Sequence, residues 1–353
     1  MEANKEIFGM LDLMIRPSFC VKENEIIKVN AAAEALLIAP GTDVRTLLLT
    51  GREEYAAFES GCLYLKLNLS PNGCGASITD RNGFHIFILD QETDDAQLRC
   101  LALAAQELRA PLTSMMISTD RLTQQEDPAL NDQLARLNRG LHQMMRIIYN
   151  MSDAARTSAP AQQETLNLTQ VFAEIFGKAQ DWMAQAGVQL TYQGLQEDVY
   201  ALADPQQLER AVLNILSNAH KFGTESGEIH AALTRHGQML RLSVQDGGPG
   251  IAEKIRSSVF SRYLRQPGIE DGRCGLGLGM ALIRSAAASH GGTVLIDHPK
   301  SGGARVTMTL SLRQSTQATL RSPIMRVDYA GERDHGLIEL ADILPPSAYE
   351  KEK

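Results

Sequence analysis

The stretch from Asp204 to Gly223 reads DPQQLERAVLNILSNAHKFG, and its reading decides how the rest of the chain is understood. Asp204 is placed to cap a helix, Pro205 suits its first turn, Gln207 stands where a capping box needs it, and Gly223 can end it. Leu208, Val212, Ile215, Leu216 and Ala219 recur at helical spacing and form the core side. Asn214 and Asn218 lie four apart on one face, with Lys221 nearly a turn further on. Amide oxygens are suitable hard ligands for Mg²⁺, and a lysine on the same face meets phosphate charge. On spacing alone, two exposed helical asparagines are the simpler explanation.

Two glycine-rich stretches follow. In DGGPGI, residues 246–251, Asp246 stands before glycines that let a backbone pass close to a ligand; a plain Gly-Pro turn would look the same. The carboxylate of Asp246 can accept a hydrogen bond from the exocyclic amine of adenine. In GLGLG, residues 275–279, glycine amides open an apolar helix that runs to His290, and such a helix start attracts anions. No strand, loop and distal acid surround it as in a dinucleotide-binding unit.

Taken in order, Asn214, Asn218, Lys221 and Phe222, then Asp246, Gly248 and Gly250, then Phe260, then Gly275, Gly277 and Gly279 resemble the four boxes of histidine-kinase ATP-binding domains. The resemblance implies an α/β sandwich of the Bergerat type over residues 163–313. It implies ATP and Mg²⁺ as cofactors, Asn218 as the Mg²⁺ ligand, Asn214 and Lys221 near the phosphates, and Asp246 reading adenine. A mobile lid is implied at 252–274, with Arg256, Arg262 and Arg265 able to approach phosphate. The related gyrase and Hsp90 ATPases have a glutamate in the position of Asn214 as general base; an amide cannot remove a proton, so ATP hydrolysis is disfavoured as the main activity. Strands are expected at 188–192, 228–234, 239–245, 293–297 and 304–312.

Upstream, residues 94–156 carry two apolar seams. Leu98, Leu101, Ala105, Leu108, Leu112, Met115, Thr119 and Leu122 alternate spacings of three and four, and Leu130, Leu134, Leu137, Leu141, Met144, Ile148, Met151 and Ala155 repeat the rhythm after EDPALND. A coiled-coil linker would show the same seams. A hairpin of two such helices cannot bury both seams alone, so a homodimeric four-helix bundle is expected. Within the first helix, Gln106-Glu107-Leu108-Arg109-Ala110-Pro111-Leu112 resembles the phosphoacceptor motif His-Glu-Leu-Arg-Thr-Pro-Leu of the same kinases.

The histidine and the threonine of that motif are replaced. An imidazole nitrogen has a lone pair for in-line attack on phosphorus, whereas that of the Gln106 amide is delocalised into its carbonyl. Glu107, matching the acid that draws a proton from the histidine, loses its partner, and the Ala110 methyl cannot orient water for the reverse phosphatase reaction. Pro111 is expected to kink the helix. His142 is read as solvent-facing, His220 as structural or exposed, and His290 as part of a helix end.

Residues 8–92 carry strand signals. Leu63, Leu65, Leu67 and Leu69 alternate with polar neighbours as in a half-buried strand, Asn82-Gly83 suits a tight hairpin, and Asn30 is placed to cap a helix in IIKVNAAAEALL. This order resembles a PAS sensor domain. The fold class is thus α+β and multidomain, and the tail 314–353 has no assigned role.

With 353 residues, 22% of them charged, and a net charge of −8, the chain can bury several cores and lacks the basic excess a general nucleic-acid binder needs. The five cysteines, Cys20, Cys62, Cys74, Cys100 and Cys274, form no Cys-x-x-Cys pair and read as reduced thiols. With no apolar run long enough to span a bilayer and no signal segment, a cytoplasmic location is expected. Expected partners are a second copy of the chain and a response regulator or partner kinase. Two further readings are an ATP-binding pseudokinase scaffold and a serine kinase of the anti-sigma-factor type.

Overall fold

The structure is a computed structural model that describes residues 2–71, 73–90, 95–122, 128–155, 163–223, 227–252, 256, 259–260, 278–313 and 334–350. Its amino-terminal part runs α1 (Glu2–Asp12), β1 (Ser18–Lys22), β2 (Glu25–Val29), α2 (Ala31–Glu34), α3 (Arg52–Ala56), β3 (Cys62–Leu67), β4 (Cys74–Arg81) and β5 (Phe84–Leu89). These strands lie in the order β2-β1-β5-β4-β3, every neighbour antiparallel. Asn82 and Gly83 both have positive φ, 53° and 76°, as a tight turn between β4 and β5 requires. Asn30 caps α2 by accepting from the Ala33 amide at 2.9 Å.

Two long helices follow, α4 (Asp95–Leu122) and α5 (Pro128–Ala155). α4 runs through Pro111 as one helix. Ala105, Leu112, Met116, Leu141, Met145 and Ile148 pack together between them.

The third part comprises β6 (Glu164–Asn167), α6 (Leu168–Gln185), β7 (Gln189–Gln193), β8 (Tyr200–Ala203), α7 (Pro205–Phe222), β9 (Glu228–His236), β10 (Met239–Asp246), α8 (Gly279–Ser289), β11 (Val294–Asp297) and β12 (Arg305–Ser311). The expected strands are present, and a two-stranded sheet of β6 and β8 is added that the short alternations around 165 and 201 did not reveal. Phe172, Phe176, Leu208, Val212, Leu216 and Leu242 centre its core. Asp204 caps α7 through the amides of Gln206 and Gln207, but the Gln207 side chain accepts from Ser289 Oγ at 2.7 Å instead of closing a capping box.

The two sheets expected to be separate are one. β3 pairs antiparallel with β11, matching Leu63 with Leu295 and Tyr64 with Val294, so ten strands run continuously from the amino-terminal part into the third part. This explains why β3 is buried on both faces. Leu63, Leu65 and Leu67 fill the amino-terminal core, while Cys62 and Tyr64 face the other core, and burial pushes the Cys62 thiol up to about 12. Among the described residues no helix is long and apolar enough to cross a membrane.

His290 ends α8 as expected. Its Nδ1 donates to the Ala286 carbonyl at 2.7 Å and its Nε2 accepts from the Asp204 amide at 3.0 Å, which requires the neutral ring. Burial holds its pKa below 6.5. The depressed folded-state value gives stability that is full above about pH 6.5 and is lost as the pH falls toward the folded pKa. The urea midpoint at pH 5.5 should therefore fall below that at pH 7.5, by at most about 1.4 kcal/mol per pH unit. His290→Gln should flatten this dependence; an unchanged slope would reject the assignment.

Candidate nucleotide site

Parts of two boxes meet the C-terminal half of α7: Gly279 lies against Asn214 and Asn218, and the loop after Asp246 lies against Phe222. Asn214 and Asn218 both face the start of α8: a side chain on Gly279 would come within 3.1 Å of Asn214 Oδ1 and 3.8 Å of the Asn218 amide. A Cβ there would sit tighter than ordinary contact, so the Asn214 side chain would have to shift. Asn218 Nδ2 also lies 3.4 Å from Met280 Sδ, leaving the amide oxygen as the hard donor. Asp246, at the end of β10, holds its own loop, its Oδ1 accepting from the amides of Gly248 at 2.8 Å and Ala304 at 3.1 Å. The loop rests on α7, since a Cβ on Gly248 would sit 2.3 Å from the Phe222 carbonyl. Asp246, Asn218 and Lys221 offer a carboxylate, an amide oxygen and an ammonium, a donor set that fits a magnesium nucleotide.

Phe260 is buried and packs on Tyr64 of β3 with ring centroids 5.7 Å apart. Arg284 of α8 reaches Asp90 at 2.8 Å and lies over the Tyr64 ring. Phe222 is exposed and Gly250 has φ 77°. Gly275, Gly277, Arg262 and Arg265 lie outside the described residues.

On α4, Ala105 faces inward while Gln106, Glu107 and Ala110 are exposed. His142 corrects the sequence reading: it is buried, with Nδ1 2.8 Å from the Asn138 carbonyl and its ring 4.9 Å from that of Tyr349. The reason is the carboxyl-terminal segment, Asp334–Glu350, which covers that face of α5 and contains a short helix, α9 (His335–Glu339).

The same segment reshapes the α7 face. Asn214 is fully buried, and its Nδ2 donates to the Arg210 carbonyl at 2.9 Å and to Glu339 at 3.2 Å. Its Oδ1 accepts from Arg146 of α5 at 3.3 Å, and Lys221 Nζ meets Asp342 at 2.5 Å. Arg146, Arg210, Glu339 and Asp342 were not anticipated from the sequence. Arg210 precedes Asn214 by four residues and so shares its face, the one signal that could have found it.

Comparison with known proteins fits this arrangement. Residues 203–314 match the family described as histidine kinase-, DNA gyrase B- and HSP90-like ATPase, and residues 96–160 match the His kinase A phospho-acceptor domain. The adaptive-response sensory kinase SasA of Crocosphaera subtropica is 29% identical over 63% of this chain and 62% of its own length. The hybrid signal transduction histidine kinase D of Dictyostelium discoideum is 27% identical over 63% of this chain, though that is 15% of the relative. The chain therefore spans less than two thirds of the length of these two relatives. Full-length ShkA in complex with AMPPNP shares the fold, with TM-score 0.50 at 20% identity over 62% of this chain and 46% of the other. With a phospho-acceptor domain match at 96–160, an ATPase family match at 203–314 and sensory kinases among its relatives, the chain belongs to the sensor histidine kinase family.

Proposed function

We propose that this histidine kinase homologue binds Mg-ATP and signals through a dimeric helical bundle without phosphorylating its own α4. The observation that carries the reading is the exposed Gln106 in the acceptor position, in a chain whose Asn218, Lys221 and Asp246 are all present. Asn218 holds Mg²⁺ through its amide oxygen, Lys221 meets phosphate, and Asp246 accepts from adenine. Bound Mg-ATP supplies a transferable phosphoryl group, but the Gln106 amide has no nucleophilic lone pair for it. The Glu107 carboxylate therefore has no imidazole proton to draw. Nucleotide occupancy acts instead on the shape of the bundle, or its phosphate passes to a histidine of a partner protein.

Dimerisation is supported by the seam itself. Leu108 at 50% exposure, Met115, Leu122, Leu137 and Met144 lie outside the core of a single hairpin, an apolar stripe that a second copy would cover. The strand order β2-β1-β5-β4-β3 supports the PAS-like reading of residues 8–92. A cleft of about 560 Å³ there, lined by Arg45, Arg52, Tyr55, Phe58 and His85, is a place for a small input ligand. A response regulator is the expected output partner.

Incubation of the purified chain with γ-labelled ATP should leave it unlabelled, and acid-labile, base-stable label would sink the proposal. Gln106→His should then gain such label if the rest of the machinery is intact. Acid-stable label on a partner would point to a serine kinase.

A further inference from the structure

The segment Asp334–Glu350 is gripped by side chains that a nucleotide site needs. Asp334 caps α9 through the Gly336 amide at 2.8 Å, the His335 ring meets Glu209 at 2.7 Å, and a Cβ on Gly336 would lie 2.3 Å from Trp182. Glu339, 2% exposed, then enters the cleft between α5 and α7. Its Oε1 accepts from Arg210 Nε at 2.6 Å, and its Oε2 accepts from Asn214 and stands 3.6 Å from Arg146 Nε. Asp342 follows, its Oδ2 shared by Lys221 and Arg146. From α5, Arg139 donates to the carbonyls of Ala341 and Asp342, and Gln143 to that of Ala341. Leu340, Ala341 and Leu344 are wholly buried in the core around α7.

Three cations, Arg146, Arg210 and Lys221, thus surround two carboxylates with an excess of one positive charge. A cleft built in this way reads anionic oxygens, whether carboxylate or phosphate. Lys221 has one ammonium, and Asp342 holds it. We propose that residues 334–350 are an internal acidic ligand of this cleft that competes with Mg-ATP for Lys221 and ties α5 to α7 until nucleotide displaces it. The inference rests on the ATP-binding reading above and goes beyond it. Tethering keeps the segment at a high effective concentration, so modest contacts suffice to oppose a nucleotide. By linkage, whatever factor the docked segment takes from ATP affinity, ATP takes from docking.

The test is equilibrium binding of a fluorescent ATP analogue with Mg²⁺ to the full chain, to the same chain carrying E339Q and D342N, and to a chain ending after residue 333. Both altered chains should bind roughly 10-fold tighter, within the usual range of such couplings. A synthetic peptide of residues 334–350 added to the shortened chain should compete that gain away. Equal or weaker binding by both altered chains, or a peptide without effect, overturns the proposal. If none of the three chains binds the nucleotide, the ATP-binding reading fails and the competition with it. Should the shortened chain not fold, the E339Q and D342N chain carries the test together with hydrogen exchange of the unaltered protein. Mg²⁺ and ATP should speed exchange at 334–350 specifically, and unchanged exchange there overturns the displacement.

Discussion

Asn218→Ala lowers the affinity for Mg-ATP by roughly 10- to 100-fold, the range expected when a ligand or orienting group of a bound metal is lost. The reason for choosing Asn218 over Asn214 is structural. Asn218 is half-buried and its nearest polar contact is the Met280 sulfur at 3.4 Å, so its removal should change folding stability by no more than about 0.5 kcal/mol. Asn214 is fully buried among Arg210, Arg146 and Glu339, so its removal would mix folding with binding. Calorimetric titration with ATP in the presence and absence of Mg²⁺, alongside a urea denaturation curve, separates the two effects. Undiminished affinity in Asn218→Ala would remove the metal assignment.

Arg210→Met has the largest expected effect on stability. Arg210 Nε faces Glu339 Oε1 at 2.6 Å and its Nη2 donates to Asn150 Oδ1 at 3.0 Å, all in a buried setting. Breaking a buried ion pair by removing one partner costs about 3 to 5 kcal/mol, and here Arg146 remains 3.6 Å from Glu339. We expect the lower end, about 3 kcal/mol, because Arg146 and Asn214 still face Glu339 and limit the loss. In a chain ending after residue 333 no buried carboxylate remains opposite Arg210. The same substitution should then cost about 1 kcal/mol, the worth of the hydrogen bond to Asn150. Equal costs in the two backgrounds would show that Glu339 and Arg210 are not coupled.

What could be read from the sequence was whatever depends on local periodicity. The seam of Ala105, Leu112, Leu141 and Ile148, the cap at Asp204, the turn at Asn82-Gly83 and the strands β9 to β12 follow from spacing and turn chemistry, and the structure contains them. The approach of Gly279 to Asn218 was expected only from the resemblance of the boxes taken together, because each box alone had a simpler reading. Contacts between distant parts of the chain were not. Nothing in CLYLKL announces that Tyr64 will be covered by Phe260 and Arg284, since an aromatic residue suits either a wet or a dry face of a strand. Nothing in GLIELAD distinguishes buried carboxylates from exposed ones, since burial of Glu339 depends on two arginines contributed by other helices. His142 was misread for the same reason: its cover comes from the far end of the chain.

The pairing of β3 with β11 has a consequence for how such proteins change over time. Strands join through main-chain amides and carbonyls, which every residue except proline supplies in full. The junction between the amino-terminal sheet and the ATPase-type part therefore asks for little by way of sequence. Substitutions on either side can accumulate while the join persists, so long as no proline enters the edge and Tyr64 keeps an aromatic ring for Phe260. A joint of this kind would tolerate different amino-terminal sequences in front of one ATPase-type unit.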